Sequence, residues 1–151
     1  MTLQYKSTER FLKVDVKYKS KLASKFINCL MKQGKKSTAE KIFYNMMDIV
    51  ASRIFETAVN NVKPLIEVRS KRVGGATYQV PIEVSRKRQL SLSVRWIIEV
   101  ARSKKGKSMD KRLADEISDA FKKQGVAITK RENTHKMAEA NKAFAHFAWS
   151  F

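Results

Sequence analysis

The chain has 151 residues, which suffices for one domain with its own core, and 43% of them are hydrophobic, which excludes an intrinsically disordered tail. Its 32 lysines and arginines outnumber 14 acidic residues, and the net charge of +18 predicts a polyanionic partner, either nucleic acid or an anionic membrane surface. One cysteine excludes an intrachain disulfide framework and favours a reducing compartment, and no apolar run approaches the roughly 18 residues of a membrane span.

The first part of the chain has the apolar spacing of two or three helices. Apolar residues recur on one face from about Ser20 to Gln33, before the turn sequence GKKS. Ser37 and Glu40 then form a capping-box pattern, which predicts where the next helical region begins. That region runs without glycine or proline as far as Pro64. We therefore predict one long helix, or two helices with a bend near Ser52.

Three further helices are predicted in the second half of the chain. The stretches from Leu90 to Ala101 and from Met109 to Phe121 carry apolar stripes at helical spacing, and the basic loop SKKGKS separates them. A second capping box, Thr129 and Glu132, predicts the start of a last helix that reaches about Phe147.

Between these helical regions, residues 67–88 have the pattern of a β-hairpin. Its strands flank Gly74 and Gly75, and glycine readily takes the positive φ angles of a tight two-residue turn. The first strand mixes charged and apolar residues so that neither face suits an apolar core, and Pro81 marks the second strand as an edge. Because an isolated two-stranded ribbon is marginal in water, we predict an arm that a phosphate-rich partner completes.

The predicted fold is therefore mainly α: a single-domain bundle of about six helices with a protruding two-stranded β-hairpin arm. The domain is expected to span residues 17–151, with the arm at about 67–88. Residues 1–16 are expected to form an N-terminal extension that RNA orders in part. Because the first strand has no apolar face to bury, we expect the arm to be separable from the helical core.

Basic residues concentrate in the middle of the chain, where residues 63–112 carry 14 basic and 4 acidic side chains. We predict that the basic residues of the ribbon contact nucleic-acid phosphates rather than forming only a solvated charged hairpin. These residues are Arg69, Lys71, Arg72, Arg86, Lys87 and Arg88. The loop SKKGKS predicts a second phosphate contact through Lys104, Lys105 and Lys107. Tyr78, on the exposed arm, either stacks on a base or ribose or packs against the protein.

The sequence predicts neither catalysis nor a metal site. Its only histidines, His135 and His146, are predicted on one polar helix face without the spacing of a metal-binding pair, and no further ligand cluster accompanies them. Cys29 is predicted to be a buried thiol at the edge of the first helix. We therefore expect no enzyme activity, no metal and no cofactor.

Four stretches of the sequence are long and specific enough to compare with a known family. They are EVRSKRVGGATYQVPIEV (67–84), KRENTHKMAEANKAFAHF (130–147), KFINCLMKQGKKSTAEKI (25–42) and RWIIEVAR (95–102). They closely resemble the bacterial-type small-subunit ribosomal protein seven, and the similarity runs from about Lys17 to Trp149. The resemblance implies six helices with a protruding arm, and a primary rRNA-binding protein that organises the head, or three-prime major domain, of the small subunit.

The resemblance also implies the surroundings of the protein and its RNA contacts. The arm and last helix would lie near the tRNA exit site and the mRNA exit path, with ribosomal proteins nine and eleven as neighbours and no homo-oligomer. By matching positions, it implies RNA contact at basic residues of the first turn, the arm, the fourth helix and the last helix. These are Lys35, Lys36, Arg69, Lys71, Arg72, Arg95, Arg102, Lys130, Arg131 and Lys136.

Two departures from the family pattern bear on the source of the chain. The opening YKSTERFLKVDVKY lacks the family's arginine cluster, and the segment between Asp48 and Phe55 is shorter than usual. Both suggest a divergent lineage. The expected location is therefore a ribosome, either in the bacterial cytoplasm or in a mitochondrion or plastid.

Two other classes of function fit the sequence less well. A helical nucleic-acid-binding regulator would need a recognition helix that reads bases, and usually a dimer surface. The basic residues here are instead spread over loops, an arm and several helix faces. An RNA-processing enzyme would need a carboxylate cluster or a histidine pair able to do the chemistry. A folded protein that cradles RNA remains the leading hypothesis.

Overall fold

The computed structural model describes residues 8–150, which contain six α-helices, one β-hairpin and two 3-10 segments. In chain order these are a 3-10 turn (Thr8–Phe11), α1 (Lys21–Leu30), α2 (Lys36–Ile49), α3 (Ser52–Val62), β1 (Ile66–Val73), β2 (Ala76–Glu83), α4 (Arg86–Ser103), α5 (Met109–Phe121), α6 (Val126–Ala140) and a C-terminal 3-10 segment (Lys142–Ser150). The predicted mainly α fold with one two-stranded hairpin is confirmed. The chain divides into two compact units, and the boundary between them in the sequence lies between Tyr44 and Asn45. Of the predicted extension, residues 1–7 lie outside the described residues.

In the first unit, the buried carboxylate of Asp15 organises the chain that leads into α1. Its Oδ2 atom accepts hydrogen bonds from the backbone N–H groups of Lys17 (3.1 Å) and Tyr18 (2.8 Å). Its Oδ1 atom accepts one from the Tyr44 hydroxyl at 2.6 Å. This bond to Asp15, followed by burial, raises the pKa of Tyr44 to about 12. Ser20 then provides the N-cap of α1.

Aromatic rings form the core of the first unit. Phe26 and Phe43 are fully buried with ring centroids 5.6 Å apart, and Tyr18 meets Phe43 edge-on at 6.0 Å. Helix α1 ends at Leu30, earlier than predicted. Cys29 is exposed, so the prediction of a buried thiol is wrong. Its position lies just outside the apolar stripe that the helix turns toward the core.

In the second unit, α3, α4, α5 and α6 pack pairwise around an apolar core. The buried side chains at its centre are Val59 and Val62 of α3, Val94 and Ile97 of α4, Leu113 and Ile117 of α5, and Ala127 and Ile128 of α6. The long helical region of the sequence is two helices, α2 and α3. The break between them lies next to Ser52, where a bend was predicted, because Ala51 takes an extended conformation with φ −70° and ψ 150°.

The β-hairpin has the two-residue turn that its glycines predict. Strands β1 and β2 pair antiparallel, with Val73 opposite Ala76 at the turn and Ile66 opposite Glu83 at the base. Gly74 and Gly75 have φ angles of +57° and +83°, as a type I′ turn requires.

The hairpin ends earlier than predicted, at Glu83 rather than near residue 88. Ser85 caps α4, since its hydroxyl accepts a hydrogen bond from the backbone N–H of Arg88 at 3.4 Å. The prediction that Arg86, Lys87 and Arg88 belong to the ribbon is therefore wrong. They form the first turn of α4.

The hairpin also packs against the rest of the second unit, which contradicts the expectation of a separable arm. Val80 of β2 is fully buried. The ring of Tyr78 lies 5.1 Å from that of Phe144 and 5.0 Å from that of Phe147, and the Lys71 ammonium donates to the Phe147 carbonyl at 2.7 Å. The first strand alone suggested that no face could be buried, but the alternate residues of β2 supply an apolar face that the C-terminal segment covers.

The last helix differs from its prediction at both ends. Helix α6 begins after Gly125, which has a φ of +90°, so Thr129 lies inside the helix and donates its hydroxyl proton to the Gly125 carbonyl at 3.1 Å. The proposed capping box is therefore not the helix start. Helix α6 ends at Ala140, and the chain continues as the 3-10 segment rather than as α-helix to Phe147.

Candidate nucleic-acid interface

Helix α4 carries predicted contact residues at both of its ends, with Arg95 between them. Arg86, Lys87 and Arg88 form its first turn, beside the hairpin, whereas Arg102 lies in its last turn and the loop to Lys107 follows. An α-helix rises about 1.5 Å per residue, so these 18 residues span about 27 Å. The basic residues at the two ends of α4 therefore do not form one compact cluster.

The predicted contact residues also differ in exposure. The exposed ones are Lys35, Lys36, Arg69, Arg72, Arg86, Lys87, Arg95, Lys105, Lys107 and Lys136. The half-buried ones are Lys71, Tyr78, Arg88, Arg102, Lys104, Lys130 and Arg131. Lys35 and Lys36 belong to the first unit, where they precede and begin α2.

Near the base of the hairpin, Glu67 connects β1 to α4. One carboxylate oxygen lies 2.9 Å from Nη2 of Arg69, and the other lies 3.4 Å from Nη2 of Arg88. The Glu67 side chain is only 11% exposed, so its charge requires these partners. The two arginines that the sequence assigned to one ribbon thus meet across two elements, through an acidic residue that the sequence analysis missed.

The first turn of α4 has an unfavourable local charge. It contains Arg86, Lys87 and Arg88 and no acidic residue. The helix dipole places partial positive charge at this end, so cations here repel it. An anion would relieve both the dipole and the basic side chains. Local conflicts of this kind are typical of functional sites, where a partner supplies the missing interaction.

Lys104 forms an ion pair with a buried residue of α5 instead of extending from the loop into solvent. Its ammonium lies 2.7 Å from Oε2 of Glu116, whose side chain is fully buried. The other carboxylate oxygen accepts the backbone N–H of Ala127, in the first turn of α6, at 3.0 Å. Lys107 pairs with the exposed Asp115 at 2.7 Å. The predicted phosphate loop therefore already has internal partners at two of its three lysines.

Helix α6 likewise uses two of its predicted contact residues for packing. The Arg131 guanidinium donates to the Asn61 carbonyl near the end of α3, and the Asn61 amide donates to the Ala120 carbonyl near the end of α5 at 3.0 Å. These bonds satisfy carbonyls that the helix ends leave open. Lys130 pairs with Glu99 of α4 at 2.8 Å. Sequence spacing gave no signal for these bonds, because the partners lie 31 to 70 positions apart.

His135 also has a structural contact. Its Nε2 atom accepts a hydrogen bond from the backbone N–H of Leu65 at 3.0 Å, which joins α6 to the start of the hairpin. Partial burial, with a smaller effect from Arg131, lowers the pKa of His135 below its usual 6.5. The neutral form accepts this bond, and protonation removes the acceptor.

The described part of the chain has neither a metal-binding cluster nor a membrane-spanning helix. Among residues 8–150, no group of three or more histidine, cysteine or acidic side chains is arranged to hold a metal ion. None of the described helices combines the length and apolar character needed to cross a membrane.

A family model described as ribosomal protein S7p/S5e matches residues 2–142. The chain belongs to this family. Small ribosomal subunit protein uS7 of Rhodopirellula baltica is 57% identical over 144 residues, which cover 89% of this chain and 92% of the relative. Its counterpart in Gemmatimonas aurantiaca is 50% identical over 156 residues, covering 99% and 100%. That of Nitratiruptor is 55% identical over 140 residues, covering 87% and 90%.

Membership of this family makes the chain a structural constituent of the small ribosomal subunit that acts in translation, and not an enzyme. The resemblance found in the sequence is confirmed. As a ribosomal protein it belongs with small-subunit rRNA. The alternatives of a regulator and of an RNA-processing enzyme are set aside.

The Lys104–Glu116 pair yields a test of which lysines stabilise the fold. Lys104→Met leaves the Glu116 carboxylate buried without its cation, so we expect the free energy of unfolding to fall by about 1–3 kcal/mol. Lys105→Met, at an exposed neighbour, removes the same charge and should change it by less than about 0.5 kcal/mol. Urea unfolding measures both. Equal effects of the two substitutions would contradict the structural role of Lys104.

The lowered pKa of His135 predicts a pH dependence of stability. The unfolded chain binds the His135 proton more readily than the folded chain does. The stability that neutral His135 contributes is therefore fully present above about pH 6.5, and it is lost as pH falls through the lowered pKa. His135→Gln keeps an acceptor for the Leu65 N–H but does not titrate. We expect its melting temperature to fall less than that of the wild type between about pH 7.5 and 5.5. His146→Gln, at an exposed histidine, is the control and should follow the wild type.

Proposed function

We propose that this chain is a primary rRNA-binding protein that organises the head, or three-prime major domain, of the small subunit. The observation that carries the proposal is the first turn of α4, where Arg86, Lys87 and Arg88 crowd the positive end of the helix dipole next to the hairpin. Glu67 joins this turn to Arg69 of β1. Phosphate groups are the partner that both features favour.

The proposed contacts are exposed basic residues of the hairpin, of α4 and the loop that follows it, of α6 and of the start of α2. They are Lys35, Lys36, Arg69, Arg72, Arg86, Lys87, Arg95, Lys105 and Lys136. The half-buried residues Lys71, Arg88, Arg102, Lys104, Lys130 and Arg131, together with the ion-paired Lys107, are proposed to contact RNA only at the edges of these surfaces. Tyr78 is not proposed to stack on a base, because its ring already packs on Phe144 and Phe147.

The surroundings of the protein in the ribosome form the finer part of the proposal. The family resemblance of the hairpin and α6 supports a place near the tRNA exit site and the mRNA exit path, with ribosomal proteins nine and eleven as neighbours. Relatives that are 50–57% identical are bacterial, which supports a ribosome in a bacterial cytoplasm rather than in a mitochondrion or plastid. Within that ribosome, residues 17–151 would act as one domain.

The test compares two pairs of charge removals on the isolated three-prime major domain of small-subunit rRNA. Arg72→Ala with Arg86→Ala removes two proposed phosphate contacts. Lys122→Ala with Lys123→Ala removes two exposed charges from the loop between α5 and α6, outside the proposed contacts. The slope of log K against log salt should lose about 1.4–1.8 units in the first pair, at roughly 0.7–0.9 per phosphate, and keep its wild-type value in the second. Equal slopes for the two pairs would contradict the proposed interface.

A further inference from the structure

A cleft of about 370 Å³ lies between β1, α4 and α6 in the second unit. This volume falls at the small end of the roughly 300–1,000 Å³ typical of small-molecule sites. Apolar side chains from three elements line it: Val68 of β1, Trp96 of α4 and Met137 of α6. Polar side chains at helical spacing on α6 also line it: Lys130, Asn133 and Thr134.

We propose that this cleft receives one unstacked nucleobase of an RNA strand. The base would stack on the indole of Trp96 and contact Met137, and its edge would form hydrogen bonds with Asn133 and Thr134. The inference rests on the proposed RNA-binding function, to which it adds a site for a base beside the phosphate contacts.

The lining has the chemistry that an exposed base requires. Trp96, which helical spacing would place in the core, is only half-buried, and Met137 is 54% exposed. Aromatic side chains are the surfaces on which single-stranded bases stack, and a methionine thioether makes favourable contacts with aromatic rings. Asn133 can both donate and accept, and the Thr134 hydroxyl, which donates to the Lys130 carbonyl at 2.9 Å, keeps its oxygen as an acceptor.

The charges around the cleft favour a nucleotide over an apolar peptide side chain. The only acidic residue that lines it is Glu67, whose two oxygens are paired with Arg69 and Arg88. Lys130, which is paired with Glu99, lines the cleft, and Arg95, one residue before Trp96 on α4, is exposed. A base that enters the cleft therefore brings its phosphates toward basic groups. An apolar side chain would gain nothing from them.

The experiment uses Trp96 as its own reporter. The 151 residues contain two tryptophans, so Trp149→Phe leaves Trp96 as the sole one among them. The probes are a 12-nucleotide oligoadenylate and an abasic oligomer with the same number of phosphates, both at about 50 mM salt. We expect the oligoadenylate to quench Trp96 and to bind roughly 5- to 150-fold more tightly than the abasic oligomer, the gain from one stacked base. The abasic oligomer should bind without quenching.

Two outcomes overturn the proposal and can be told apart. If both oligomers bind with the same affinity and neither quenches Trp96, the cleft takes no base and a protein side chain becomes its better occupant, while phosphate binding by the chain stands. If neither oligomer binds, the proposed RNA-binding function fails together with the base site.

Substitutions of the exposed lining residues locate the effect. Asn133→Ala and Met137→Ala should each weaken oligoadenylate binding by about 2- to 10-fold and leave the abasic oligomer unaffected. Gln124→Ala, at an exposed amide in the loop before α6, is the matched control and should change neither affinity. Far-UV circular dichroism checks that each variant keeps its helices. Wild-type oligoadenylate affinity in both lining variants would rule out base binding in this cleft.

Discussion

The buried carboxylate of Glu67 holds the hairpin to the helices, because it is paired with Arg69 of its own strand and with Arg88 in the first turn of α4. An unpaired charge at this depth would cost several kcal/mol, so the two arginines are held in place by the acid between them. Farther along the same face, the hairpin is also fixed by Val80, which is fully buried, and by the rings that cover Tyr78. The ribbon is thus ordered by protein contacts before any RNA is bound.

This arrangement lets a chain of net charge +18 fold while it keeps basic groups available. Some cations stabilise the interior: Lys104 neutralises Glu116, and Arg131 caps the end of α3 through the Asn61 carbonyl. Others, such as Arg72 and Arg86, are exposed. From composition alone, all of these basic residues would be expected to contact the polyanionic partner. The structure divides them between stabilising the fold and forming a candidate surface for RNA.

Much of the fold can be predicted from local patterns in the sequence. Apolar spacing located the helices, and Gly74–Gly75 located the turn, because both signals depend only on neighbouring residues. Helix ends were less predictable. Helix α4 begins at Arg86, after its cap Ser85, rather than near Leu90, and Thr129 lies inside α6 rather than at its cap. The pairing of Glu67 with Arg88 could not be predicted, since it depends on how the hairpin packs on α4.

The sequence predicted basic residues for RNA contact but not how the fold groups them. The resemblance of residues 67–84 and 130–147 to ribosomal protein seven predicted a hairpin and a last helix, and the structure contains both, although α6 ends at Ala140. It could not tell that Lys104 and Arg131 have internal partners, or that Tyr78 would be covered by Phe144 and Phe147. These contacts join residues far apart in sequence, and tertiary packing alone brings them together.

The most direct test of this account is the substitution Glu67→Gln, compared with Glu83→Gln on the same hairpin. Each raises the net charge by one, but Glu83 is exposed and Glu67 joins β1 to α4. Affinity for the three-prime major domain of rRNA is measured for both, together with amide hydrogen exchange in the hairpin. We predict that Glu67→Gln speeds exchange in β1 and β2 and weakens RNA binding despite its extra positive charge, whereas Glu83→Gln binds as well as the wild type or better. If both variants bind RNA more tightly by the same factor, charge alone governs binding and the Glu67 bridge does not organise the surface.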